Sequence, residues 1–131
     1  MHLCGYWISS VCNDERHFKL KSLLTSPMGD FEAIIATSFF LRLRGLLFRE
    51  PLKDNECIVL YPCRSIHTFG MKYSIDVLFL DIFGCVVDYK LNVPSSRVYV
   101  SSSDSVTTIE IKSGLLCPNK NYHGVNFKYK N

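Results

Sequence analysis

Ile75 to Leu80 reads IDVLFL, and only Asp76 interrupts its hydrophobicity. A run that is apolar at odd and even positions alike suits a strand covered on both faces. The fold must therefore supply packing on each side of this segment. The rest of the chain is read around that demand.

Other strand-like runs surround it. Phe18 to Leu24 alternates until Ser22, and Phe31 to Ala36 carries the β-branched pair Ile34 and Ile35. Glu56 to Tyr61 stops at Pro62, and Cys85 to Leu91, Arg97 to Ser101, Val106 to Lys112 and Val125 to Lys130 follow. Turn signals punctuate them: Ser26-Pro27-Met28-Gly29-Asp30 before Phe31, and Asp81-Ile82-Phe83-Gly84 before Cys85. Thr37 makes a good N-cap for one short helix over Ser38 to Arg44, closed by Gly45, with Phe39, Phe40 and Leu43 as its apolar stripe. Many short strands with one short helix predict a mostly β fold: a single-domain β-sandwich of jelly-roll kind, or a partly open barrel. Residues 1–17 read as an irregular extension and 18–131 as one β-rich domain. A chain of 131 residues buries roughly two-thirds of its unfolded surface, enough for a core without staples.

Composition narrows the function classes. Hydrophobic residues at 47% and charged residues at 21% fit a globular chain. A net charge of +3 from scattered Lys and Arg gives no case for nucleic acid. No run is long enough to span a membrane, and the apolar stretch near the N-terminus has neither a preceding Lys or Arg nor a small-residue cleavage site. The six cysteines form no compact framework, and Cys57 and Cys85 lie in apolar runs where a thiol behaves as a small hydrophobe. These features predict a reducing, cytoplasmic setting. Oligomeric state leaves no mark on the sequence.

The chemistry-bearing residues concentrate between Cys57 and Asp81. Cys63, His67 and Met71 are evenly spaced with Arg64 between them, and Asp76 follows. Ala36-Thr37, Arg44-Gly45-Leu46-Leu47, Arg49, Leu52, CIVLYPC, SIHTFGM, IDVLFLD, Gly84, Val86-Val87 and IEIKSG occur in that order. Over roughly residues 31 to 127 the chain resembles the domain-of-unknown-function family numbered 192, small bacterial and archaeal proteins. SIHTFGM followed closely by IDVLFLD is the most specific part of that match. The resemblance implies a compact, mostly β fold and brings no established activity. It departs at the C-terminus, where this chain has CPNKNYHGVNFKYKN in place of a Gly-Asp turn.

Four readings of the segment stand side by side. In the leading one, Arg44, Arg64, His67, Thr68, Met71 and Asp76 form a polar pocket at the SIHTFGM loop, walled by Phe69 and Tyr73, for a small anionic ligand or peptide and with no cofactor. A second takes Cys63, His67 and Met71 as thiolate, imidazole and thioether ligands to copper, with His17 as the remaining imidazole. A third makes Cys63 a nucleophile, His67 its base and Asp76 the orienter. Four residues of extended chain separate the thiol and imidazole by roughly 13 Å, so that reading needs a tight turn. The fourth is structural, or a role in protein interaction: Met71 and Phe69 fill the core, and Asp76 pairs with Arg44, Arg64 or backbone amides of the SIHTFGM loop.

Overall fold

The computed structural model describes residues 20–36, 51–101 and 104–130. The expected extension over 1–17 and the expected helix over Ser38 to Arg44 lie outside the described residues. Nine strands are present among those described: β1 Leu20–Ser26, β2 Gly29–Ala36, β3 Glu56–Leu60, β4 Ser65–His67, β5 Ile75–Leu80, β6 Val86–Val93, β7 Val98–Val100, β8 Thr107–Lys112 and β9 Lys128–Lys130. No helix occurs among the described residues.

Seven strands make one sheet in the order β6-β5-β8-β3-β2-β1-β9, and β4 and β7 form a separate ribbon. β2 and β3 run parallel, and the other pairings are antiparallel. The first hairpin is tighter than the sequence indicates. Pairing extends to Ser26↔Gly29, leaving only Pro27 and Met28 in the turn. The Ser26 hydroxyl closes it by accepting from the Met28 amide at 3.1 Å and donating to the Gly29 carbonyl at 3.0 Å. Gly29 sits at φ 125°, a conformation that disfavours any side chain.

Alternation along each strand divides the apolar residues between two cores. Phe31, Ala33, Ile35, Cys57, Val59, Leu78, Leu80, Ile109 and Ile111 meet on one face. Ile34, Ile58, Leu60, Ile75, Val77 and Phe79 occupy the other, where Leu52, Ile66 and Met71 pack onto them. β5 is buried at all six positions, as its IDVLFL sequence requires. The β4–β7 ribbon covers part of the second face, with Ile66 and its cross-strand partner Tyr99 turned inward.

The C-terminal segment curls the sheet around the first core. β9 pairs with β1 at one edge, as in Leu24↔Tyr129. The residues just before it reach the start of β6 at the other edge: Asn126 bridges Cys85, Val86 N donates to Val125 O, and Phe127 N donates to Gly84 O, both at 2.9 Å. The result is a curled sheet, not a closed barrel. Phe127 plugs it with 1% exposure, its ring 6.4 Å from that of Phe31. The segment expected as one strand over Val125 to Lys130 thus does two jobs, and only its last three residues form β9.

Candidate functional site

The SIHTFGM segment is partly a strand, β4, and partly a turn locked to the chain after β6. Thr68 makes that lock. Its hydroxyl donates to Pro94 O at 2.7 Å and accepts from Arg97 N at 2.9 Å. Its amide donates to Arg97 O, and its carbonyl accepts from the Met71 and Ser96 amides. Thr68 is fully buried, so its polar atoms are committed to holding the two turns together. Met71 is buried in the second core.

His67 belongs to a different surface. Ile66 points into the core, so alternation turns Ser65 and His67 outward. The His67 ring lies 6.0 Å from Phe69 at an interplanar angle of 29°, and its Nδ1 has no hydrogen-bond partner. Phe69, which the structural reading places in the core and the binding reading makes a pocket wall, is 52% exposed. Val98, opposite His67, and Val100, opposite Ser65, are also exposed. The two β-branched residues of β7 follow the period of a strand, with Tyr99 inward and Val98 and Val100 outward. The segments that build the ribbon carry charge of one sign. Residues 63–75 and 93–101 include Arg64, His67, Lys72 and Arg97 but no Asp or Glu. Arg64, Lys72 and Arg97 are all exposed.

Asp76 does not join this group. It shares its side of the sheet with Leu78 and Ile111, opposite the face entered by Met71. Arg44, one expected partner, lies outside the described residues, and Arg64, exposed on the ribbon, does not hold it. Nor do SIHTFGM amides. Asp76 stabilises a bulge in β6, where the pairs Ile75↔Val93 and Val77↔Lys90 leave Leu91 and Asn92 opposite one residue. Asn92 adopts φ 53°, and its amide donates to Asp76 Oδ1 at 2.7 Å. Ser113 Oγ donates to Asn92 Oδ1 at 2.9 Å, extending the link to the turn after β8. Burial raises the Asp76 pKa; the Asn92 amide, the Leu116 and Gly114 amides and the Ser113 hydroxyl oppose that rise. Oδ2 makes no hydrogen bond of good geometry, so the Leu116, Gly114 and Ser113 groups act on the carboxylate mainly through space.

Asp76→Ala strands the Asn92 amide and is expected to cost about 1–3 kcal/mol in urea unfolding. Asp76→Asn keeps an acceptor and is expected to hold the parent's stability. An alanine variant as stable as the parent would remove Asp76 from this role. Asp81 holds a turn of its own, its Oδ1 accepting from the Phe83 and Cys85 amides at 2.8 and 3.0 Å.

The structure does not bring together the groups that the copper and nucleophile readings need. Cys63 Sγ donates to Ser65 O at 2.9 Å. His67 faces out while Met71 faces in, so the three sulfur and nitrogen atoms do not share one side of the ribbon. Asp76 lies across the sheet from His67 and does not orient it. Among the described residues, no three His, Cys, Asp or Glu side chains gather as a metal site. Cys57, Cys63, Cys85 and Cys117 are free thiols. Cys57 is fully buried, and desolvation, then Glu56, pushes its thiol pKa far up. Cys85 is only half-buried and accepts from Asn126 Nδ2 at 3.3 Å.

A second buried acid escaped the sequence reading. Glu110 in β8 faces the second core between Ile58 and Val77. It is 4% exposed, and its Oε2 has no hydrogen-bond partner. Desolvation alone lifts its pKa to about 7. The IEI triplet carries the same signal as IDV at Asp76, an acid inside an apolar strand. The regular alternation of TTIEIK disguised it as a solvent-facing position.

A curled mixed sheet with two cores, overlaid by a two-stranded ribbon, defines a small, mostly β domain. The chain belongs to the domain-of-unknown-function family numbered 192, described as Uncharacterized ACR, whose model matches residues 23–121. It is 38% identical over 87 residues to a UPF0127 protein of Thermococcus sibiricus, covering 63% of this chain and 55% of that one. It is 39% identical over 87 residues to a UPF0127 protein of Pyrococcus horikoshii, covering 64% and 75%. The chain thus spans about half the length of the first relative.

Its fold is similar to a protein of unknown function from Novosphingobium aromaticivorans, with TM-score 0.72, 18% identity and 84% of each chain covered. It is also similar to a Sinorhizobium meliloti protein proposed to be a transcription regulator, with TM-score 0.76, 14% identity, and 87% and 97% coverage. At these identities the likeness shows the fold alone. Among the described residues, no helix is long and apolar enough to cross a membrane.

Proposed function

We propose that the outer face of the β4–β7 ribbon binds an extended acidic peptide carrying apolar side chains. The supporting observation is the composition of that face. Phe69, Val98 and Val100 are exposed beside His67, within a stretch whose charges are all basic. Apolar contacts supply the binding energy, and Arg64, Lys72 and Arg97 select an acidic partner. The Thr68 lock holds both turns of the ribbon, so little ordering is required on binding. A flat, exposed ribbon suits a peptide better than a small anion. Four free thiols among the described residues support work in a reducing, cytoplasmic setting.

Fluorescence anisotropy with a labelled peptide of alternating Glu and Val tests this reading. Binding is expected to weaken with salt, and Arg64→Glu with Arg97→Glu is expected to weaken it at least tenfold. Equal affinity for a peptide with Lys in place of Glu would refute the reading.

A further inference from the structure

One strand of the ribbon, β7, keeps a line of backbone groups unused. Thr68 N donates to Arg97 O at 2.9 Å, and Ser101 N donates to Arg64 O at 2.8 Å. Bonding positions alternate along an antiparallel strand. Arg97, Tyr99 and Ser101 therefore turn their backbone toward β4, while Val98 and Val100 turn theirs away. Among the described residues, no hydrogen bond reaches the Val98 or Val100 amide or carbonyl. The two residues are 58% and 60% exposed. Two donors and two acceptors thus face away from the ribbon at exposed positions.

Other edges are blunted. At the edge of β6, Val86 N and O bond to Val125 O and Gly124 N, and Asp88 Oδ1 takes the Tyr89 amide at 2.9 Å. β9 is three residues long and carries the exposed Lys128 and Lys130. On β4, Ser65 O accepts from Cys63 Sγ. Shortness, charge and covering are ordinary protections of a strand edge. β7 shares the shortness, yet it presents valine at both positions whose backbone is free.

We propose that the acidic peptide binds by adding a strand to the β7 edge, a mode that rests on the ribbon reading above and gives it a register. Main-chain bonds to Val98 and Val100 supply affinity, and alternate side chains supply selectivity. Paired residues on neighbouring strands point to the same side. Peptide residues opposite Val98 and Val100 lie on the outer face, where apolar side chains cover the two valines. The residue between them, opposite Tyr99, points to the other side. Lys90 Nζ is on that side, 5.8 Å from the centre of the Tyr99 ring, so an acidic side chain suits the position. The selected pattern is apolar, acidic, apolar. Like charge on Arg64, Lys72 and Arg97 disfavours a second copy of the chain at the same edge.

The test uses the alternating Glu–Val peptide in three forms: unmodified, N-methylated at every Val, and N-methylated at every Glu. Methylation at Val removes the N–H groups that donate to Val98 O and Val100 O. That peptide is expected to bind at least roughly tenfold more weakly, and the Glu-methylated one within about threefold of the unmodified peptide. In hydrogen exchange, the Val98 and Val100 amides are expected to exchange freely alone and to slow at least about tenfold in the complex. Equal affinity of the two methylated peptides, or a complex in which both valine amides still exchange freely, would overturn the edge mode and leave face binding standing. No binding by any form would sink the ribbon reading itself, and the edge mode with it. Protection of the two amides without peptide, rising with protein concentration, would assign the edge to a second copy and overturn the proposal.

Discussion

Phe127→Ala is expected to destabilise the domain by about 3–5 kcal/mol, the usual loss for a buried phenylalanine. That is a large share of the roughly 5–15 kcal/mol that holds a domain together. Phe127 is 1% exposed, its ring is tilted 38° against that of Phe31, and it lies between the residues that bridge to β6 and those that form β9. Removing its ring opens a cavity where the C-terminal segment joins the two edges of the sheet. In thermal unfolding the midpoint should fall by roughly 10–20 °C. A loss under about 1 kcal/mol would mean that the segment decorates the sheet and does not complete it.

Glu110→Gln has the opposite sign. The folded protein holds the Glu110 proton up to about pH 7, whereas the ordinary value is 4.5. Between those values the native state carries a proton that the unfolded chain has lost. Glu110 therefore makes stability fall as pH rises through that window. Complete ionisation by pH 8 costs about 3 kcal/mol by this linkage. Glutamine fills the same volume without a charge to desolvate. The variant is expected to be about 3 kcal/mol more stable than the parent at pH 8 and nearly equal to it at pH 4. The measurement is urea unfolding at several pH values. Parallel curves for the two proteins would show that Glu110 finds a partner or water when ionised. Asp76 is also raised, but it is present in both proteins and drops out of the difference.

Much of this fold is legible in the sequence because burial writes itself into local pattern. IDVLFL has no polar face, and β5 lies inside. ECIVL alternates between two cores through Cys57 and Val59 against Ile58 and Leu60. What escapes local pattern depends on partners distant in sequence. SIH reads as loop because three residues show no period, and it becomes a strand only through Val98–Val100 some thirty residues on. The double pairing of residues 124–130 is likewise set by β1 and β6, not by its own composition.

The site divides along the same line. Asp76 is legible as a buried acid needing a partner, but the partner is a backbone amide released by a bulge at Asn92. A bulge is invisible until two strands are in register. Arg64, His67 and Thr68 lie within five residues yet serve different ends, since strand alternation and the Thr68 lock separate them. Glu110 was missed because alternation ordinarily means one wet face, and here the ribbon, Leu52 and Met71 pack over it.

The central claim is that the basic outer face of the β4–β7 ribbon is a binding surface. Amide shift mapping of the labelled chain with the alternating Glu–Val peptide tests it most directly. The shifts are expected to gather at Arg64, His67, Phe69, Val98 and Val100, while Asp30, Leu116 and Tyr122 stay still. Shifts absent from the ribbon, or unchanged by the Arg64→Glu and Arg97→Glu pair, would contradict it.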